Sequence, residues 1–259
     1  MALKIKLGSI NLHCLKEENQ KEKSLRIAKL IKELDLDICF FQEVAQSKDS
    51  KIVVDNIKED CNLYPIYKEL KDNYHFYYEH KKYGFDIYEE GLALCSKYPL
   101  LEKDFYYISK SRDTSWLTRI VVRAKIKVDD EEIGLYTVHM GWDFEKEKYF
   151  DQVDLLQNGI KDKNFILSGD FNAYYGSKEY NYLLTKGLKS TTDLYNIDPN
   201  TNPTFAFSLD SNNCAANRHI DYFFTSNHIR VLDYKILLKE EKQRVSDHYF
   251  IYNEIEWRK

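Results

Sequence analysis

Short apolar stretches that end in a carboxylate, an amide or an imidazole recur along this chain, and they constrain its fold more than any other feature. The first ends at Asn11, and the next ends at Glu43. Apolar runs of this length predict buried strands. Strand ends on one edge of a sheet converge into a crevice. The polar residues that we expect at this crevice are Asn11, Glu43, His139, Asp170, Asn172, Asp221, Asp247 and His248.

The first forty residues predict a β-α-β unit. Residues 1–11 alternate apolar and polar side chains, residues 21–34 carry one apolar helical stripe, and residues 37–41 form a short apolar run. The stretch 52–62 predicts another helix, and residues 64–90 are interpreted as a long aromatic and charged loop. This early unit is typical of a sheet with a helix packed against it.

The rest of the chain is predicted to be rich in strands. A strand over 91–96 is followed by a hairpin over 119–139 that turns at Asp129-Asp130. The spacing then predicts a helix over 145–160 and further strands over 164–168, 219–225, 230–238 and 249–256. No linker or repeat divides the sequence, so we expect one α/β (α+β) domain over 1–259, with two packed sheets and helices outside.

Charge and cysteine usage exclude several classes of protein. The net charge of −4 and the pI of about 6.0 argue against binding a nucleic-acid duplex by neutralising many phosphates. The cysteines form no CxxC pair, so neither a zinc knuckle nor a disulfide framework is indicated. The N-terminus does not resemble a signal peptide, and no apolar run approaches the about 20 residues that cross a bilayer. We therefore expect a reduced, cytoplasmic enzyme without a membrane partner.

The residue types at the predicted strand ends suit phosphoryl chemistry with a hard metal ion. The carboxylates of Glu43 and Asp247, with the amide of Asn11, are ligands that Mg²⁺ prefers, and Mn²⁺ is the alternative. Asp170 can accept a proton from an attacking water, while Asn172 and His248 can donate to the developing phosphoryl charge.

A histidine can assist the leaving oxygen in the same reaction. His139 can protonate that oxygen if a carboxylate fixes its tautomer. We assign this carboxylate to Glu90 because it abuts a predicted strand, and Glu89 is the alternative. His219 is interpreted as structural or as facing the substrate. The histidines without motif support, interpreted as surface or packing residues, are His13, His75, His80 and His228.

These motifs resemble those of the endonuclease/exonuclease/phosphatase superfamily, and they stand in the same order over nearly the whole chain. Any one of them is weak, whereas the ordered set is specific. The matching segments are Ile10-Asn11, Gln42-Glu43-Val44, Glu90-Gly91, Arg119, Thr137-Val138-His139, Ser168-Gly169-Asp170-Phe171-Asn172-Ala173, Ile220-Asp221-Tyr222 and Ser246-Asp247-His248.

The resemblance implies a fold and a role for each matching residue. The fold would be a four-layer α/β sandwich, and Glu43 would be the main metal ligand, with Asn11 and Asp247 near the ion. The roles of Asp170, Asn172, His248 and His139 would be those assigned above. Asp221 would orient a site histidine, and Arg119 would contact phosphate.

A narrower likeness points to the substrate. The segments 83–91, Trp116 to Arg119 and 139–142 resemble a bacterial subgroup that includes a maltose 6′-phosphate phosphatase. Trp116 and Trp142 flank predicted site residues and would contact a sugar, as would Phe85 and Tyr88. We therefore expect a small phosphorylated substrate such as a sugar phosphate. A DNA endonuclease or exonuclease with the same active site is the alternative.

Two further interpretations are weaker. A lipid phosphodiesterase would carry an apolar loop or an anchor that faces a membrane, and neither is found in the sequence. A fold retained for binding alone would have lost at least one of Glu43, Asp170, Asn172 or His248, and all four are present.

Overall fold

The computed structural model describes residues 3–143, 146–206, 218–226 and 229–257. His228 and Glu145, which were included in the predictions above, lie outside these ranges. The elements in chain order are β1 (Leu3–Asn11), α1 (Gln20–Glu33), β2 (Ile38–Ser47), β3 (Ile52–Val54), β4 (Ile57–Lys58), α2 (Tyr64–Leu70), β5 (His75–Gly84), β6 (Tyr88–Ser96), β7 (Leu101–Tyr107), β8 (Ile120–Val128), β9 (Glu131–His139), α3 (Tyr149–Gly159), β10 (Phe165–Asp170), α4 (Lys178–Thr185), β11 (Lys189–Ser190), α5 (Thr191–Tyr195), β12 (Asp221–Thr225), β13 (Ile229–Leu237) and β14 (Phe250–Trp257).

Two six-stranded sheets form the centre of the fold. The first has the order β13-β14-β1-β2-β6-β5, and the second has the order β11-β12-β10-β9-β8-β7. The central pairs β1–β2 and β9–β10 are parallel, and the other pairs within these two sheets are antiparallel. Each parallel pair is connected through a helix, so each sheet contains one β-α-β unit at its middle. The carboxyl ends of these four strands lie at one edge of the fold.

Burial on both faces of the sheets produces four layers. In β2, Ile38 and Phe40 enter the core between the sheets, whereas Cys39 and Phe41 face α1 and α2. Strand β10 behaves in the same way, because Ile166 faces the other sheet while its neighbours pack under α3 and α4. Strands covered on both sides have continuous apolar sequences. The predicted fold class, two packed mixed sheets flanked by helices, is confirmed.

Two predictions about the segment before β6 are wrong. Residues 52–62 were predicted to be helical but form the hairpin β3–β4, which turns at Asp55 with a φ of 46°. The β-branched run 52–54 favours a strand, and Asp tolerates the left-handed turn. Residues 64–90, predicted as a loop, form α2, β5 and the start of β6. Four of its aromatic residues, Phe76, Tyr77, Tyr78 and Tyr83, lie in β5, and aromatic side chains favour strands.

The remaining predicted elements are present with shifts of a few residues at their ends. The hairpin predicted over 119–139 is formed by β8 and β9, and it turns at Asp129 with a φ of 54°. No helix within the described ranges is long and apolar enough to cross a membrane.

The core between the sheets predicts a large effect for one substitution. Phe40 is fully buried, and its ring packs edge to face against that of Phe223, with the ring centroids 5.8 Å apart. We expect Phe40→Ala to lower the free energy of unfolding by about 3–5 kcal/mol in urea denaturation, because it removes a buried ring and leaves a cavity. Phe85→Ala is the matched control, since Phe85 is 68% exposed. Equal effects of the two substitutions would contradict this description of the core.

Candidate active site

The two sheets meet at the side chain of Asn11, which ends β1 and is fully buried. Its Nδ2 donates to Glu43 Oε1 at 3.0 Å and to Asp170 Oδ2 at 3.1 Å, so one amide joins carboxylates from different sheets. Its Oδ1 accepts from the backbone N–H of His13 at 2.9 Å. These contacts hold two anionic groups close together, although their charges repel each other.

Glu43 owes its position to an irregularity in β2. The register between β2 and β6 shifts between Phe41 and Val44, and Glu43 has a φ of 48°. A β-bulge turns a side chain away from the direction that strand alternation would give it. His13, Cys14 and Asn172 also have φ values near 50°. Left-handed backbone at residues other than glycine costs free energy and is concentrated at functional sites.

His248 is oriented by Asp221. The Asp221 carboxylate lies 2.9 Å from His248 Nδ1, and Asp170 Oδ2 lies 3.5 Å from Nε2. All three side chains are buried. Burial alone would lower the pKa of His248, but the charges of Asp221 and Asp170 raise that pKa to about 10. Burial raises the pKa of the Asp170 carboxyl above its usual range, although the charge of His248 opposes this shift.

His139 lies between the same carboxylates on the other side. Its Nε2 is 3.5 Å from Asp170 Oδ2, and its Nδ1 is 3.9 Å from Glu90 Oε1. Burial, followed by the charges of Arg119 and Lys82, holds the pKa of His139 well below its usual range. The ring is therefore neutral and can donate one hydrogen bond.

Strand alternation separates the two candidate partners of His139. Glu90 is on the face of β6 toward the site, where its Oε1 pairs with Lys82 Nζ at 2.6 Å. Glu89 points to the opposite face and contacts Lys58 at 2.9 Å. Adjacent strand residues point to opposite faces of a sheet. The structure therefore brings Glu90 beside His139.

The other predicted site residues line one cavity with these groups. Asn172 Nδ2 donates to the carbonyl of Met140 at 2.8 Å, and its backbone N–H donates to Asp170 Oδ1 at 2.9 Å. Asp247 lies on another side of the cavity, with its Oδ2 3.5 Å from His13 Nε2. The cavity has a volume of about 620 Å³ and is lined by His13, Cys14, Lys16, Glu43, Lys82, Gly84, Phe85, Tyr88, Glu90, Trp116, Arg119, His139, Trp142, Asp170, Asn172, Phe205, Ile220, Asp247 and His248.

Aromatic side chains surround the cavity. Trp116 and Trp142 are 53% and 39% exposed, and Phe85 is 68% exposed. Exposed rings gathered around one cavity form an apolar patch, and such patches mark sites that meet a ligand or a partner. Arg119 lies deeper, is buried, and its Nη1 has no hydrogen-bond partner among the described residues.

The acidic groups of the site fit a divalent cation. Ligand atoms of Glu43, His139 and Asp170 lie within 4.8 Å of one another, and Asp247 lines the same cavity. Their carboxylate oxygens are hard donors, the type that Mg²⁺ and Mn²⁺ prefer. The Asn11 amide is turned with its nitrogen toward these carboxylates.

Sequence reasoning missed several residues that line the cavity, among them His13, Cys14 and Lys82. His13 was interpreted as a surface or packing residue, but its ring lies in the cavity between Glu17 and Asp247. Cys14 and Lys82 also line it. The loop after β1 turns back over the site through the left-handed residues His13 and Cys14, and a periodic pattern does not reveal such a turn.

The remaining histidines of the described ranges lie elsewhere. His219 is fully buried behind the site, where its Nδ1 lies 2.7 Å from the carbonyl of Asn202 and its Nε2 lies 3.2 Å from Tyr234 Oη. His219 is thus a packing residue, one of the two interpretations given above. His75 and His80 belong to β5 and do not line the cavity.

Comparison with known proteins agrees with the motifs. The sequence model of the Endonuclease/Exonuclease/phosphatase family matches residues 8–248. None of the curated proteins compared with the chain matches it. A solved family protein from Leptotrichia buccalis C-1013-b is 26% identical with a TM-score of 0.88, and the match covers 98% of this chain and 100% of that one.

Two solved structures with known activities share the fold at lower identity. A mannosyl-6-phosphatase from Bacteroides thetaiotaomicron VPI-5482 is 20% identical with a TM-score of 0.68, and the match covers 97% of this chain and 99% of that one. TDP2 from D. rerio, complexed with a single-strand DNA product, is 14% identical with a TM-score of 0.72, and the match covers 97% of this chain and 98% of that one. At these identities, the two comparisons show that the proteins share a fold with this chain.

We expect the buried guanidinium of Arg119 to support activity without contributing to the stability of the fold. Arg119→Met removes a buried charge whose Nη1 has no hydrogen-bond partner in the described part of the chain. We therefore expect the free energy of unfolding in urea with EDTA to stay unchanged or to rise by about 1 kcal/mol. Hydrolysis should fall, because Arg119 lines the cavity. Arg112→Met, outside the cavity lining, is the control. A loss of stability above about 3 kcal/mol for Arg119→Met would show that its charge stabilises the fold.

Proposed function

The chain belongs to the Endonuclease/Exonuclease/phosphatase family, whose members hydrolyse phosphoesters, and we propose that it is a Mg²⁺-dependent phosphatase of small phosphorylated molecules such as sugar phosphates. The observation that carries this proposal is the convergence of Glu43, Asp170, His139 and His248 at one aromatic-lined cavity. We also propose that residues 1–259 form one catalytic domain. The cytoplasmic location stays a prediction from the sequence.

Glu43 is the main ligand of the Mg²⁺ ion in this proposal, with Asn11 and Asp247 near it. A bound divalent ion neutralises phosphate charge and lowers the pKa of a coordinated water. Mn²⁺ satisfies the same oxygen ligands. The Asn11 amide supports this site by holding Glu43 and Asp170 in fixed positions.

Asp170 accepts the proton of the attacking water. Its Oδ2 is held by Asn11, and its Oδ1 accepts from the backbone N–H of Asn172, so the carboxylate cannot rotate freely. The raised pKa of this buried carboxyl makes it a stronger base than an exposed aspartate. A fixed base next to a bound phosphate is the arrangement that hydrolysis requires.

His248 and Asn172 stabilise the charge that develops on the phosphoryl oxygens. Asp221 holds His248 through Nδ1 and leaves Nε2 directed toward Asp170. Donors fixed before the reaction stabilise a transition state without having to reorganise. Arg119, whose Nη1 has no hydrogen-bond partner among the residues described, is assigned to the phosphate. His139, beside Glu90, donates a hydrogen bond to the leaving oxygen.

The surroundings of the site favour a small substrate over a nucleic acid. Trp116 and Trp142 offer flat apolar faces for a sugar ring. The likeness to a mannosyl-6-phosphatase supports a sugar phosphate, while the likeness to TDP2 keeps DNA as the alternative. The basic segment 110–112 is partly neutralised, since Lys110 pairs with Asp151 at 2.7 Å. A DNA-binding surface would instead present free cations on both sides of the site.

Two conservative substitutions test the assigned chemistry. Glu43→Gln removes the ligand charge and Asp170→Asn removes the base, so each should lower kcat for phosphate release by about a hundredfold or more at saturating Mg²⁺. Glu33→Gln, an exposed residue of α1, is the control for the loss of one negative charge. Circular dichroism should show folded protein in each case. A near-normal rate for Glu43→Gln would refute the assignment of Glu43 as a metal ligand. A near-normal rate for Asp170→Asn would show that Asp170 is not the base.

A further inference from the structure

A thiol lies among the acidic groups of the site. Cys14 Sγ donates to Glu43 Oε2 at 2.9 Å, and ligand atoms of Cys14, Glu43 and Glu90 lie within 4.8 Å of one another. His139 Nδ1 is 4.0 Å from Glu43 Oε1 and 3.9 Å from Glu90 Oε1. These four residues, Cys14, Glu43, Glu90 and His139, are called the thiol cluster below.

Two buried polar atoms at the thiol cluster are poorly satisfied. His139 Nδ1 is buried and has no hydrogen-bond partner within the described ranges. Tyr88 is 6% exposed and packs against Cys14, and its hydroxyl faces the thiol with no other partner among the described residues. A buried polar atom without a full partner costs about 1–3 kcal/mol. A metal ion or another group bound at this place would give these atoms a partner.

The donor types of the thiol cluster differ from those that Mg²⁺ requires. Mg²⁺ takes oxygen ligands and retains waters, so a thiol contributes nothing to its binding. Zn²⁺ takes the sulfur of cysteine, the nitrogen of histidine and carboxylate oxygen, usually four in a tetrahedron. Bonds of about 2.0–2.3 Å place the ligand atoms of such a tetrahedron roughly 3.5 Å apart. The separations of 2.9, 3.9 and 4.0 Å in the cluster lie on either side of that value.

The charges around the thiol cluster are compatible with a bound dication. A thiolate and two carboxylates carry three negative charges, so a dication leaves one negative charge. Lys82 Nζ lies 2.6 Å from Glu90 Oε1, and Arg119 lines the same cavity. Lys82 balances this one remaining charge, as a buried site requires, and Arg119 adds a further positive charge in the cavity.

We propose that the thiol cluster binds a thiophilic divalent cation such as Zn²⁺, and that this cation inhibits the Mg²⁺-dependent reaction by occupying the Glu43 carboxylate. The thiol proton passes to solvent as the metal–sulfur bond forms. Zn²⁺ lies above Mg²⁺ in affinity for sites with nitrogen and sulfur donors, so it competes at low concentration. The binding stands on the geometry of the cluster, whereas the inhibition also rests on the proposed function.

Binding is tested without substrate by titrating Cd²⁺ into metal-free protein and recording the thiolate-to-metal charge-transfer absorption. We expect a saturable band in the unmodified protein and none in Cys14→Ser, which keeps a hydroxyl near Glu43. Cys61→Ser is the matched control, because Cys61 is a buried free thiol that lies outside the thiol cluster. That control should keep the band. Absence of the band in the unmodified protein, or its persistence in Cys14→Ser, overturns the proposal.

A second variant covers the case in which Cys14→Ser does not fold. Glu90→Gln leaves every thiol in place and removes one carboxylate ligand, so Cd²⁺ affinity should fall by roughly tenfold or more. Unchanged affinity would remove Glu90 from the site and would contradict the cluster as a whole.

The inhibition is tested by titrating Zn²⁺ into the Mg²⁺-dependent reaction. The concentration of Zn²⁺ that halves the rate should rise by roughly tenfold or more in Cys14→Ser, relative to the uninhibited rate of each protein. Equal sensitivity in both proteins overturns the inhibitory role. A protein without hydrolase activity would refute the proposed function, and the Cd²⁺ band would still decide the binding proposal.

Discussion

The site depends on the two hydrogen bonds that the buried amide of Asn11 donates. The amide donates to Glu43 on one sheet and to Asp170 on the other, so the distance between the two carboxylates is fixed by how the sheets pack. The sheets in turn pack through a continuous apolar core in which Phe40 meets Phe223. A second hydrogen bond, from Gln42 Nε2 to Thr137 Oγ1 at 3.0 Å, joins the sheets next to Asn11. The positions of the Glu43 and Asp170 carboxylates therefore depend on how the two sheets pack.

The site retains features that a structure selected for stability alone would lack. Glu43 and Asn172 adopt left-handed backbone conformations, and the buried Nη1 of Arg119 has no hydrogen-bond partner within the ranges that the structure describes. Each of these features costs free energy in the absence of a ligand. A phosphate with a bound cation would supply what they lack, since it brings anionic oxygens to the guanidinium and a positive charge to the carboxylates. The unsatisfied charges of the site therefore indicate a ligand that combines an anionic phosphate with a cation.

Much of the fold and the position of the site follow from the sequence, because strand ends and apolar runs are local signals. Asp170 and Glu43 could be found from the strands that precede them. Residues 52–62 were mistaken for a helix because the turn at Asp55 is set by backbone geometry that spacing does not reveal. His13 and Cys14 were not recognised because the left-handed turn that brings their loop to the site leaves no periodic pattern in the sequence. The choice between Glu89 and Glu90 depended on strand register, which the structure supplies.

The central claim is that this cavity hydrolyses a small phosphate ester with the help of a divalent cation. The most direct measurement is release of inorganic phosphate by the purified protein, with Mg²⁺ or with EDTA, from a panel of sugar phosphates, nucleotides and an abasic-site duplex DNA. The account predicts release from sugar phosphates that requires Mg²⁺ and is abolished by EDTA, while the DNA stays intact. Cleavage of the DNA with inert sugar phosphates would contradict the choice of substrate. Full activity in EDTA would contradict the role assigned to Glu43.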